Sequence, residues 1–135
     1  MKFFDAHFHI IDPDFPLVEN QGYLPPAFTA EKYLQETEAF EWVGGAIVSG
    51  SFQAFDSAYL VKALDQLGHQ YAGVANIPCD VKAEEIKRLH ASGVAAVRFN
   101  LNRGVADDPD TIAPPTHSKA SVSCKYFSAV KAGGK

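Results

Sequence analysis

Four short apolar, β-branched runs alternate with stretches of helical periodicity, and this alternation limits the possible folds more than any other feature of the chain. Residues 3–9 repeat with period two, which places Asp5, His7 and His9 on one face of a strand and Phe4, Ala6 and Phe8 on the other. Residues 45–51, 71–77 and 94–101 read as three more strands. Thr29 caps a first helix with Glu31 in its opening turn and Tyr33, Leu34, Thr37 and Phe40 at helical spacing, ending near Trp42. Leu60, Val61, Leu64 and Leu67 line a second helix that stops at Gly68. Asp80 caps a third, which runs through Ile86 and Leu89 to Gly93. The order βαβαβαβ implies helical crossovers, so the sheet is parallel and the crossovers right-handed.

Such spacing suits either a doubly wound sheet or the first half of a TIM (β/α)8 barrel. Asp5, His7, His9, Arg98 and Asn100 are polar residues on one strand parity, which favours a barrel with a mouth lined for chemistry. No G-x-G-x-x-G or P-loop follows the first strand, which argues against a phosphate-binding module. A chain of 135 residues is too short to close eight units, which typically take ~250. After Gly104 the pattern breaks: Asp107 to Asp110 and Ala113 to Thr116 interrupt regular structure, and the end is rich in Gly and Lys. Residues 1–104 hold 8 basic and 13 acidic groups (net −5), whereas 105–135 hold 4 and 3 (net +1). The expected domains are therefore a partial barrel over 1–104 and an irregular tail over 105–135. That tail is either an extension or the remnant of a lost reading frame in a longer enzyme.

Charge and hydropathy exclude several function classes. A net charge of −4 with only three arginines provides no basic stripe for nucleic acid. No apolar run approaches ~18 residues, and Asp5 turns the N-terminus acidic too early for a signal peptide, so a cytoplasmic protein without a membrane partner is expected. Cys79 and Cys124 lie far apart in no metal-like spacing and read as free thiols. Between residues 12 and 26 the prolines deny the backbone regular hydrogen bonding and mark a long loop after the first strand.

His7-Phe8-His9 carries the chemistry. Two histidines at i and i+2 of a strand point the same way, with Cβ atoms about 7 Å apart, close enough for both imidazoles to bind one metal ion. The pair sits where the strand enters the long loop, on the rim where barrels build their sites. His69 and His90 fall at the opposite rim, His117 in the tail, and Asp56 and Asp80 at helix-capping positions.

The run Asp5-Ala6-His7-Phe8-His9-Ile10-Ile11-Asp12-Pro13, with Phe15-Pro16, Gly22-Tyr23 and Pro25-Pro26, resembles the opening of the amidohydrolase-2 type of metal-dependent hydrolases. The likeness is to the branch that includes 2-pyrone-4,6-dicarboxylate lactonase. It extends through the 45–51 segment, Asp56-Ser57 and the 93–100 segment, covering residues 3 to about 104. The resemblance implies a distorted (β/α)8 barrel with His7 and His9 as ligands of a divalent metal, zinc first and manganese second, or none in a truncated form. It implies a small carboxylated or lactone-like substrate, with Arg98, Arg103 and Ser51 as contacts. Ser49 stands where many members have glutamine, so specificity differs. The later histidines and the aspartate of a complete member have no counterparts, so this chain alone is expected to be inactive. Two other expectations are a non-catalytic half-barrel that self-associates through open sheet edges, and a non-oxidative decarboxylase of the same superfamily, against which the Asp-Pro-rich loop argues.

Overall fold

A computed structural model describes residues 1–78 and 80–98. Four parallel strands, β1 (Lys2–Phe8), β2 (Glu41–Val48), β3 (Tyr71–Asn76) and β4 (Val94–Arg98), form one sheet in the order β1-β2-β3-β4. Helices α1 (Ala30–Glu36), α2 (Ala58–Leu67) and α3 (Ala83–Ala91) make the crossovers. The protein is thus an α/β fold that builds the successive parallel units of a partial TIM barrel.

Local chemistry accounts for most element ends. The Thr29 hydroxyl accepts from the Lys32 amide at 3.3 Å and starts α1. The Thr37 hydroxyl, donating to the Tyr33 carbonyl at 2.7 Å, caps its far end. Helix α1 therefore stops well before Trp42, which lies in β2, and β2 begins four residues earlier than the expected Gly45. Gly44 sits inside β2 at φ +149°, where a Cβ would come within 2.2 Å of the Gln70 carbonyl oxygen, so only glycine fits. Gly68 and Gly93 follow α2 and α3 at φ +91° and +95°, as expected of their positions. Asp80 does not cap α3; the N-cap is Lys82, without a side-chain bond. The end expected for β4 at residue 101, and the 104 boundary, lie outside the described residues.

The core lies between the sheet and the helices. Phe8 stacks on Tyr33 of α1, with centroids 4.1 Å apart and planes 8° from parallel, and both rings meet Tyr71 edge-on. Leu60, Leu64 and Leu67 of α2 pack beside Ile47 and Ala75, so the predicted α2 stripe is the buried one. Gly73 lets α2 press onto β3: a Cβ there would lie 2.9 Å from a Leu64 methyl. The loop after β1 is more ordered than its prolines suggest. Ile11 and Phe28 exchange two backbone hydrogen bonds of 2.8 Å, and the Val18 amide donates to Phe52 at 2.7 Å.

Strict alternation fails in β1. Its pairing with β2 shifts register between Phe3 and Phe4 and again between Asp5 and Phe8. Asp5 consequently does not share a face with the two histidines. Its Oδ2 accepts from the Tyr33 hydroxyl at 3.3 Å, the same residue that stacks on Phe8.

Candidate functional site

The C-terminal ends of the strands collect the residues singled out in the sequence. His7 is the penultimate residue of β1 and His9 follows just beyond its end; both are exposed, with ring centroids 5.0 Å apart and planes at 90°. His9 Nδ1 lies 2.6 Å from the Val48 carbonyl oxygen at the end of β2. A carbonyl can only accept, so Nδ1 carries a proton, and in the neutral ring Nε2 is the acceptor nitrogen, on the side away from Val48. Such a backbone partner is how ligating histidines are usually oriented. The Gly50 backbone runs close beside this ring, where a Cβ would lie 3.8 Å from Nδ1.

Arg98 closes β4 and donates from Nη1 to the Ser49 carbonyl at 2.8 Å. An ion pair with Asp5 across the sheet is not formed, because Asp5 is engaged by Tyr33. Consecutive carbonyls of an extended strand point to opposite neighbours. Val48 and Ser49 therefore hold His9 on the β1 side and Arg98 on the β4 side, which makes the end of β2 the pivot of the rim. Behind it, the Tyr59 hydroxyl of α2 donates to Ser49 Oγ at 2.9 Å. Burial pushes the Tyr59 phenol up to about 12, with the nearby Asp56 charge adding to the rise while the Ser49 bond and Arg98 oppose it, so it stays a proton donor.

Ser51 is not at a strand tip; it opens a 3-10 turn, Ser51–Gln53, after β2 has ended. Its hydroxyl accepts from Asn20 Nδ2 at 3.2 Å, which ties the turn to the β1 loop. Gln53, buried, donates to the Ile10 carbonyl at 2.8 Å and accepts from the Gly50 amide at 3.1 Å, so it stitches the β1 and β2 ends together. No motif pointed to Gln53, Tyr59 or the two carbonyls. Their roles come from where the chain returns, and nothing local encodes that.

The remaining candidates lie elsewhere. His69 is exposed between α2 and β3, and His90, in the last turn of α3, lies with Nδ1 3.3 Å from the Val94 carbonyl, both away from the rim. Asp56 accepts weakly from the Ala58 amide at 3.4 Å, one residue before the N-cap Ser57. Arg103, Asn100, Cys79, Cys124 and His117 lie outside the described residues. Asp12, buried just past the histidines, is ion-paired with Lys62 of α2 at 2.8 Å. Burial alone would raise its pKa; the Lys62 ammonium and the Asp14 amide outweigh burial and hold it below the usual carboxylate range. Among the described residues no group of three or more His, Cys, Asp or Glu could hold a metal, and no helix is long and apolar enough to cross a membrane. The donor set at the rim is two imidazoles, one with its tautomer fixed, which suits a borderline-soft divalent ion and supplies half of a tetrahedral shell.

Comparison with known proteins finds relatives of this chain and of its fold. A 2-pyrone-4,6-dicarboxylate hydrolase from Comamonas testosteroni is 26% identical over 105 residues, covering 76% of this chain and 34% of that protein. A putative 2-pyrone-4,6-dicarboxylic acid hydrolase from Pseudomonas putida superposes with a TM-score of 0.66 at 29% identity, over 82% of this chain and 40% of that one. A probable hydrolase of the same name from Acinetobacter baumannii, crystallised with citric acid, shares the fold with a TM-score of 0.72 at 20% identity, over 98% of this chain and 46% of that one. The chain thus spans about a third of the curated relative and under half of the solved chains. The amidohydrolase family model matches residues 4–119, a span that runs past the 104 boundary and includes the whole described rim. This chain belongs to the amidohydrolase family.

Proposed function

We propose that this chain carries the first half of the active site of a metal-dependent hydrolase for a small carboxylated or lactone-like substrate. The observation that carries the reading is the His9 Nδ1 bond to the Val48 carbonyl, which in the neutral ring makes Nε2 the acceptor nitrogen beside His7. His7 and His9 would hold a divalent ion, zinc before manganese. When bound, that ion supplies Lewis acidity toward a substrate carbonyl.

The chain's own residues do the rest of the work at this rim. Arg98, held by one donor to the Ser49 carbonyl, keeps the other donors of its planar fork for a substrate carboxylate. Ser51, on the turn facing the β1 loop, offers a hydroxyl to the same ligand, and Asn20 sets its position. The likeness to 2-pyrone-4,6-dicarboxylate hydrolases supports a substrate with both a cleavable ester-like bond and carboxylates. Among the described residues this reading assigns no general base, so the activity it proposes is that of the metal and substrate half of the site.

The test is zinc binding by the metal-stripped chain, followed by elemental analysis and a lactone-hydrolysis assay. The reading predicts zinc retained by the parent and lost on His7→Ala or His9→Ala. Zinc binding unchanged by both substitutions overturns it.

A further inference from the structure

We propose that Asp5 is a positioning residue of this site: its carboxylate holds a β-bulge in β1 that turns His7 to the same side of the sheet as His9, and Tyr33 of α1 anchors that carboxylate from the core. Asp5 acts through His7, a ligand in the metal reading above, on which this role rests.

A regular strand alternates, and Asp5 faces Tyr33 on the helix side. Unbroken pleating would therefore turn His7 and His9 to the helix side as well and send Phe8 outward. The protein does the reverse. Asp5 pairs with Gly45 and Phe8 with Ile47, so three steps along β1 match two along β2. Ala6 and His7 have no partner in that register, and they are consecutive exposed residues in a strand whose exposure otherwise alternates. The extra residue reverses the parity: Asp5 and Phe8 both turn toward Tyr33, and the His7 ring joins that of His9. Bulges are rare between parallel strands and recur next to active sites, where they re-aim a side chain.

A bulge takes a backbone amide out of the ladder, and here the strand supplies the acceptor itself. The His7 amide donates to Asp5 Oδ1 at 3.3 Å, and the Tyr33 hydroxyl donates to Asp5 Oδ2 at the same distance. One oxygen thus faces along the strand to the displaced amide, and the other faces the core. Tyr33 is a fixed anchor, because its ring is buried, stacked on Phe8 and edge-on to Tyr71. The room for the bulge comes from β2. A Cβ on Gly45 would lie 2.9 Å from the Asp5 carbonyl oxygen and 3.1 Å from the Phe8 ring, so glycine at this position lets the bulged backbone approach.

The test uses the full 135-residue chain, with zinc affinity read by competition with a chelator and the metal-free chain read by NMR. Asp5→Ala should weaken zinc binding ~10-fold or more, remove the exchange protection of the His7 amide and abolish the nuclear Overhauser contact between the two imidazoles, whose centroids lie 5.0 Å apart in the parent. Asp5→Asn keeps an acceptor for the amide, and the Tyr33 hydroxyl can turn to accept from the new NH2, so this variant should recover most of the affinity and the protection. Leu60→Ala, which loosens the core elsewhere, should leave zinc affinity and both NMR signals of the folded chain as in the parent. Where circular dichroism shows Asp5→Ala unfolded, Tyr33→Phe takes its place: it deletes the anchoring hydroxyl, keeps the stacked ring and should move the same readings in the same direction by less. Unchanged zinc affinity in the folded variant overturns the positioning role and leaves the metal reading standing. So does an Asp5→Asn chain as weak as Asp5→Ala, or an equal loss in Leu60→Ala. A parent that binds no zinc overturns the metal reading, while the metal-free NMR signals still decide whether Asp5 holds the bulge.

Discussion

The two faces of the sheet differ more than any other pair of regions in this protein. On the helix side Phe8, Tyr33 and Tyr71 interlock, and Leu60 and Ile47 are fully buried. On the other, Phe4 and Val43 meet solvent, as do the two histidines at the rim. The same backbone ladder supports both. Crossover helices can cover only one side of a curved parallel sheet, and the opposite side is covered when the sheet closes. Stability in this chain therefore resides on the helix face, and chemistry at the end of the open one.

That contrast breaks first under Leu60→Ala. Leu60 is 0% exposed at the α2–β3 contact, so the substitution should cost about 3 kcal/mol in urea unfolding. A loss below ~1 kcal/mol would show that the helix face is not the packed one. Next comes Lys62→Met, which leaves the Asp12 carboxylate, 7% exposed, without its cation; the variant should be less stable than the parent at neutral pH, by less than Leu60→Ala costs. The sign of the pH dependence follows from the lowered Asp12 pKa. Its contribution is present above the unfolded value of ~3.9 and disappears as pH falls through the lower folded value. Parent and variant should then converge in stability near pH 2, and a gap that stays constant with pH would contradict the ion pair.

A third substitution separates chemistry from packing. His9→Ala removes an exposed ring and one hydrogen bond, so unfolding should shift by no more than ~1 kcal/mol. Zinc affinity, measured by competition with a chelator, should fall at least ~10-fold. The smallest effect is expected from Phe4→Ala, within ~0.5 kcal/mol for the isolated chain, because its ring is mostly in water already.

Much of this was legible in the residues. The alternation of strands and helices, the Thr29 cap, the α2 stripe and the glycines after α2 and α3 are local effects of side-chain period and backbone freedom, and each lies where its pattern puts it. The misplacements share one cause. Periodicity carries α1 to Trp42 and sets Asp5 beside the histidines, because it cannot reveal a threonine that caps early or a register shift forced by pairing. Asp80 suits a cap by residue type, since aspartate favours that role, but the turn after β3 carries the helix start to Lys82.

By itself, the order of residues determined a parallel α/β fold and placed two histidines two positions apart at the end of its first strand, since both follow from short-range periodicity. Only the tertiary structure decided which nitrogen of His9 faces outward and what holds Arg98. Those depend on the Val48 and Ser49 carbonyls, nearly forty residues from one partner and nearly fifty from the other in the chain. A backbone carbonyl is the same group in every residue, so only its position in space can give it a role.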